Sequence, residues 1–181
     1  MPLVKSSRII TDRFVRIAND AAIPDGVPVI VSADRLIAEA DSLSRRAALT
    51  GVIWPNNRKV TELAPYLDQL DLVVLVFPAF KDGRAYSQAR ILRERYGFGG
   101  ELRATGQVLR DQFVFMLRAG FDAFEVSKEA DAAVFAEVSR RYSVFYQPTG
   151  DGRVTALRAR LRGLGAAPER PVAAAAGAAA Q

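Results

Sequence analysis

The run Leu72-Val73-Val74-Leu75-Val76-Phe77 constrains the chain more than any other stretch. Uninterrupted apolar and β-branched residues that stop at a proline read as a buried strand, and the residues after Pro78, Phe80-Lys81-Asp82-Gly83-Arg84, read as a polar loop. Asp82 is placed to cap a helix from Arg84 to about Tyr96. After Gly97 to Gly100 the chain re-enters a short strand, Glu101 to Ala104, and the turn Thr105-Gly106 leads into another helix. Two successive strand-to-helix junctions therefore carry Lys81, Asp82, Gly83, Arg84, Ser87, Arg103, Gly106, Gln107, Arg110 and Asp111. If the strands are parallel, both junctions fall at the carboxyl ends of the strands, where α/β folds bind ligands.

The rest of the chain repeats the strand-and-helix rhythm. Arg8 to Ile17 alternates polar and apolar residues with a turn near Asp12, which predicts an N-terminal hairpin or edge strand. Val29-Ile30-Val31 predicts a strand, with Ser32 or Asp34 capping a helix through about Ala48. Gly51 to Trp54 ends at the turn signal Pro55-Asn56-Asn57, and Val60 to Asp68 makes a short helix. Gln107 to Ala119 reads as a deeply packed helix, Gly120 as its stop, Ala123 to Val126 as a strand, Lys128 to Arg141 as a helix and Ser143 to Tyr146 as a last strand. Five or six strands alternating with helices predict an α/β fold with a mainly parallel sheet. A partial or irregular (β/α) barrel and an open doubly wound sheet both fit, and a complete eight-stranded barrel needs about 250 residues. The expected organisation is one domain over 1–162 and a disordered Ala/Gly/Pro tail over 163–181.

Composition narrows the chemistry. The 181 residues contain neither cysteine nor histidine, which removes disulfides, iron–sulfur ligation, haem held by His or Cys, and the commonest general base. No stretch approaches the ~20 apolar residues of a membrane span, and the amino terminus lacks a signal-peptide core, so the expected location is cytoplasmic, with no membrane partner. The formal charge of +5 is concentrated: residues 77–118 hold eight Lys or Arg against four Asp or Glu, whereas residues 1–76 balance at nine against nine. No GxGxxG follows the first strand and no P-loop is present, so neither nucleotide fingerprint applies.

The strand-end residues are suited to a small oxyanion. Lys81, Arg84, Arg103 and Arg110 would supply charge, Gly83, Ser87 and Gly106 close approach at helix starts, and Asp82 orientation rather than contact. The plainer account is that Asp82 caps a helix while the arginines pair with Glu94, Glu101 and Asp111. Arg90, Arg93 and Arg95 lie on one predicted helix, either as a solvated face, the usual case, or as a docking face for an acidic partner. Nucleic acid is not expected, because no aromatic-interleaved basic platform accompanies them. Trp54 to Asn57 sits at another strand end and either lines the same pocket or, for the Trp, packs as core or rim.

The stretch Phe77-Pro78-Ala79-Phe80-Lys81-Asp82-Gly83-Arg84-Ala85-Tyr86-Ser87-Gln88-Ala89-Arg90, continued by Leu92 to Arg95, Gly100 to Ala104, Leu109 to Gln112 and Gly120 to Phe124, resembles a bacterial family of unknown function whose members are labelled oxidoreductases of sulfite reduction. The resemblance runs from about Val29 to Phe145. It implies an accessory role in assimilatory sulfite reduction, with the sulfite reductase haemoprotein as partner, and it brings no catalytic residues with it. Some members of the family carry Cys where this chain has Ala119, a departure that argues against an obligatory thiol. An enzyme with a noncovalently held flavin or a nicotinamide, and an assembly or regulatory partner without a small ligand, are the alternatives that the resemblance leaves open.

Overall fold

The computed structural model describes residues 1–141, 144–149 and 154–161. Eight strands form a single sheet: β1 (Leu3–Lys5), β2 (Arg8–Ile10), β3 (Val15–Arg16), β4 (Val29–Ser32), β5 (Thr50–Trp54), β6 (Leu72–Phe77), β7 (Glu101–Gly106) and β8 (Ala123–Glu125), in the order β2-β1-β8-β7-β6-β5-β4-β3. From β3 to β8 every pairing is parallel, and the hairpin β1–β2 is added antiparallel to β8. Helices lie between the parallel strands: α1 (Ala33–Ala38), α2 (Ala40–Ser44), a 3₁₀ segment Val60–Gln69, α3 (Arg84–Arg90) running into a π turn Ile91–Arg95, α4 (Phe113–Ala119) and, after β8, α5 (Asp131–Arg141) and α6 (Ala156–Leu161). The fold is thus the alternating α/β arrangement expected, with more strands than the periodicity alone indicates.

The connectivity dictates the curvature. The two edge strands, β2 and β3, are consecutive in sequence and joined only by residues 11–14. Five residue steps span at most ~18 Å, whereas the edges of a flat eight-stranded sheet would stand roughly 34 Å apart at about 4.8 Å per strand. The sheet must therefore curl, and it forms a half-barrel whose edges are brought towards each other.

Alternation along the strands then assigns each side chain to a face. Outward residues Val29, Val31, Val52, Trp54, Val73, Leu75, Phe77, Leu102, Ala104 and Phe124 pack under the helices in one large core. Inside the curl, Phe14, Ile30, Leu72 and Val74 form a smaller apolar cluster. β6 contributes to both, which explains why it reads as an unbroken apolar run.

Several local expectations are revised. The N-terminal hairpin turns at Ser6 and Ser7, both with positive φ (50° and 63°), and not near Asp12; Asp12 lies in the link between opposite sheet edges, where its carboxylate accepts the Phe14 N–H at 3.0 Å. Ser32 does cap α1, accepting from the Arg35 N–H at 3.2 Å, but the helix breaks at Glu39 instead of running to Ala48. β7 continues through Thr105 to Gly106, because pairing with Val76 and Phe77 extends it past the predicted turn. α4 is shorter than Gln107 to Ala119 and not wholly packed, since Phe115 is 65% exposed. Ser143 and the 163–181 tail lie outside the described residues; of the last predicted strand, Phe145 makes a single bridge to Thr155.

Gly106 is fixed by two independent demands. Its φ is +89°, and a Cβ there would sit 2.3 Å from the Phe77 carbonyl oxygen. Gly106→Ala is therefore expected to cost at least ~2 kcal/mol, from the left-handed backbone together with the displaced β6–β7 pairing. Urea denaturation of the variant and the wild type measures it.

Candidate functional site

At the carboxyl ends of β6 and β7 the two loops are tied together. The Gln107 N–H donates to the Phe77 carbonyl at 2.8 Å, and the Gln107 Oε1 accepts the Phe80 N–H at 2.8 Å. The Asp82 N–H closes the turn onto the Ala79 carbonyl at 3.0 Å. Gly83 occupies the cap position of α3, and Asp82, one residue earlier, accepts the Arg84 N–H at 3.3 Å. Asp82 also accepts two bonds from the Arg84 guanidinium, at 3.0 and 2.6 Å. Hydrogen bonding from Arg84 comes first in holding the Asp82 carboxyl well below its ordinary range, and the neighbouring Asn56 amide adds to the effect. The same pairing raises Arg84.

Of the predicted oxyanion set, the structure keeps Lys81, Gly83, Arg84 and Ser87 at this corner, on exposed surface, and brings Gly106 beside it through the Phe77–Gly106 pairing. Arg110 follows on the adjoining loop but is engaged by the buried Asp131 carboxylate, which also accepts the Lys128 N–H. Arg103 is elsewhere. It lies on the inner face of the curl, 1% exposed, three residues short of the end of β7.

A polar network surrounds Arg103, assembled from segments far apart in the chain. Its Nη1 and Nη2 donate to Asp12 at 2.6 and 3.1 Å, its Nε donates to Glu101 at 3.0 Å, and Glu125 lies 3.5 Å from Nη1. Glu125 in turn accepts Arg16 Nη2 on both oxygens at 2.7 and 2.6 Å and the Thr105 hydroxyl at 2.6 Å. Lys5 completes the set by donating to Glu101 at 2.7 Å. Three cations thus meet three carboxylates, so this cluster carries no surplus charge for an added anion. Burial works against the charged form of Arg103, but Asp12 and Glu101 outweigh it and its pKa is raised. For Asp12, partial burial pushes upwards, yet bonds from Arg103 and the Phe14 N–H, with the charges of Arg103 and Arg16, bring it below 3.8.

The expected docking face is also divided. The π turn, in which the Tyr96 N–H reaches back to the Ile91 carbonyl at 3.2 Å, changes the register of the helix. Arg93 consequently points inward: it donates to the carbonyls of Gly120 at 3.0 Å and Gly100 at 2.8 Å, to that of Phe98, and to Asp122. A Cβ on Gly120 would stand 2.5 Å from the Arg93 Cγ, so the glycine leaves the room that the arginine fills. Arg90 pairs with Glu94 at 3.2 Å and Arg95 lies over Tyr96, both on the outside. Trp54 is fully buried beneath Arg58, so it packs and does not line a pocket, and Gln88 holds the adjacent turn by donating to the Pro55 and Arg58 carbonyls.

Among the described residues no group of three or more acidic side chains is arranged to hold a metal ion. No helix there is long and apolar enough to cross a membrane.

The family described as bacterial protein of unknown function (DUF934) matches residues 51–157, from within β5 into α6. The chain belongs to this family. No curated protein matches it. The matched span holds both strand-end loops of this DUF934 protein, Arg93 with its carbonyl partners, and the Glu101, Arg103, Thr105 and Glu125 part of the inner network; Lys5, Asp12 and Arg16 are supplied from outside it.

The inner network leads to two expected outcomes. Arg103→Met removes both guanidinium bonds from Asp12 and leaves Glu101 and Glu125 with Lys5 and Arg16 alone, and should cost about 3 kcal/mol, measured by urea denaturation at neutral pH. Because the folded-state pKa of Asp12 is depressed, its stabilisation is present above 3.8 and is lost as pH falls from there through the folded value. Asp12→Asn should be less stable than wild type at neutral pH, with a shallower loss of stability below pH ~4, read from unfolding free energies across that range.

Proposed function

We propose that this protein is an accessory component of assimilatory sulfite reduction that works by docking on the sulfite reductase haemoprotein through the corner where the β6–α3 and β7–α4 loops meet. The observation that carries the reading is Phe80, 62% exposed on a loop whose backbone is braced by Gln107 and Ala79. An exposed phenyl ring carried on a braced backbone is the kind of anchor that fills a partner's pocket. Beside it Lys81 is exposed, and among the described residues no ion pair engages it, so it is available to a carboxylate on the partner.

Contact is favoured over capture of a free oxyanion because the cations suited to that task have internal partners. Arg103 is held by Asp12, Glu101 and Glu125, Arg110 by Asp131, and Arg84 by Asp82, whose carboxylate would itself repel an incoming anion. The sulfite-reduction context comes from the family resemblance of the Phe77–Arg90 stretch.

Binding of the purified haemoprotein of the same organism to the full chain tests the reading. Phe80→Ala is expected to weaken it by roughly 30-fold, about 2 kcal/mol, and Lys81→Glu by a smaller, salt-dependent factor. Both positions are exposed, so thermal midpoints should stay near that of the wild type. Absence of binding by the wild-type chain, or equal binding by Phe80→Ala, overturns it.

A further inference from the structure

A second surface lies where α4, residues 144–149 and α6 adjoin. Phe115 and Arg118 are three residues apart and share one side of α4. The Arg118 guanidinium sits 3.9 Å over the Phe145 ring and donates to the Gln147 carbonyl at 2.5 Å. Phe145 bridges Thr155, and its carbonyl accepts the Ala156 N–H at 2.8 Å, which anchors the start of α6 to the same segment. Across these segments Phe115 is 65% exposed, Tyr146 89%, Leu157 66% and Leu161 78%. Leu157 and Leu161 are one helical turn apart, so they form a ridge. Residues 113–119, 144–149 and 154–161 hold three arginines, Arg118, Arg158 and Arg160, and no acid.

We propose that this face binds a protein partner that presents an acidic amphipathic helix, its apolar side on the Leu157–Leu161 ridge and its carboxylates towards Arg158 and Arg160. Charge complementarity selects that occupant. A second copy of the chain would bring arginine against arginine. An anionic lipid surface is a poorer fit, because α6 is only about 9 Å long at 1.5 Å per residue and the apolar groups come from three separate segments instead of one long amphipathic helix. Apolar side chains exposed to this degree together, beside a single sign of charge, mark an interaction site more than a solvated surface.

The probe is a labelled synthetic helix with leucines at i, i+3, i+4 and i+7 and glutamates between them, titrated with the full chain by fluorescence anisotropy. Saturable binding that weakens as salt is raised, that falls at least tenfold in the Leu157→Glu, Leu161→Glu double variant, and that is unchanged in Phe80→Ala is the expected result. The Arg158→Glu, Arg160→Glu variant gives a second reading if the leucine variant melts early. Because no haemoprotein is used, failure here is separate from failure of the sulfite-reduction reading. No binding, binding by both double variants equal to that of the wild type, binding to phosphatidylglycerol vesicles in place of the peptide, or sedimentation showing a dimer that Leu157→Glu, Leu161→Glu breaks would overturn the proposal.

Discussion

Curling of the sheet is the constraint on which the other features rest. Joining the two edge strands through only residues 11–14 forces the curl, and a curled sheet has an inner face that must be filled. Towards β4, β5 and β6 the filling is apolar, with Phe14 packed among Ile30, Leu72 and Val74. Towards β7 and β8 it is ionic, and its members come from the chain's beginning as well as its middle: Arg16 on β3 reaches Glu125 on β8, and Asp12 in the link reaches Arg103 on β7. The ionic half does what backbone pairing cannot do here, since β3 and β8 share no ladder. Taking these charges out of water costs desolvation, and the cost is tolerable because each buried member is answered by more than one partner.

Charge balance also decides what the interior can do. A site for an anion needs unmatched positive charge or unmatched donors, and three cations against three carboxylates provide neither. Arg93 shows the principle in another place. Its guanidinium is engaged by three backbone carbonyls and Asp122, and burial of Asp122 raises that carboxyl's pKa even though Arg93 opposes the shift. These arginines act as internal struts, and the positive charge left at the surface is what a partner can meet.

How much of this is legible in the sequence depends on the range of each signal. β6 is readable because all six of its residues are apolar, and β4 and β5 because short apolar runs end at cap or turn residues; those signals are local. The parallel order of the strands, and with it the adjacency of the loops after Phe77 and Gly106, comes from the βα rhythm. Asp12, Arg16 and Glu125 leave no local trace as partners. They become neighbours only once the sheet has curled, and contacts separated by 91 and 109 residues have no periodicity to betray them. Arg103 stands out as a charge, yet its place in the strand is misread, because Thr105-Gly106 has the composition of a turn while pairing with Val76 and Phe77 keeps it extended. Arg93 is turned inward by a π turn, a one-residue change of register that composition does not announce.

Among the described residues, two exposed apolar groups stand beside cations: Phe80 beside Lys81 at the strand ends, and the Leu157–Leu161 ridge beside Arg158 and Arg160. Water solvates the cations well, so they alone would argue for nothing. The apolar groups are different, because holding them out on braced loops and short helices forgoes burial worth about 1.5–3 kcal/mol for each large side chain. The docking proposed above would recover that burial against a partner surface. That asymmetry is what supports the docking proposed for this DUF934 chain.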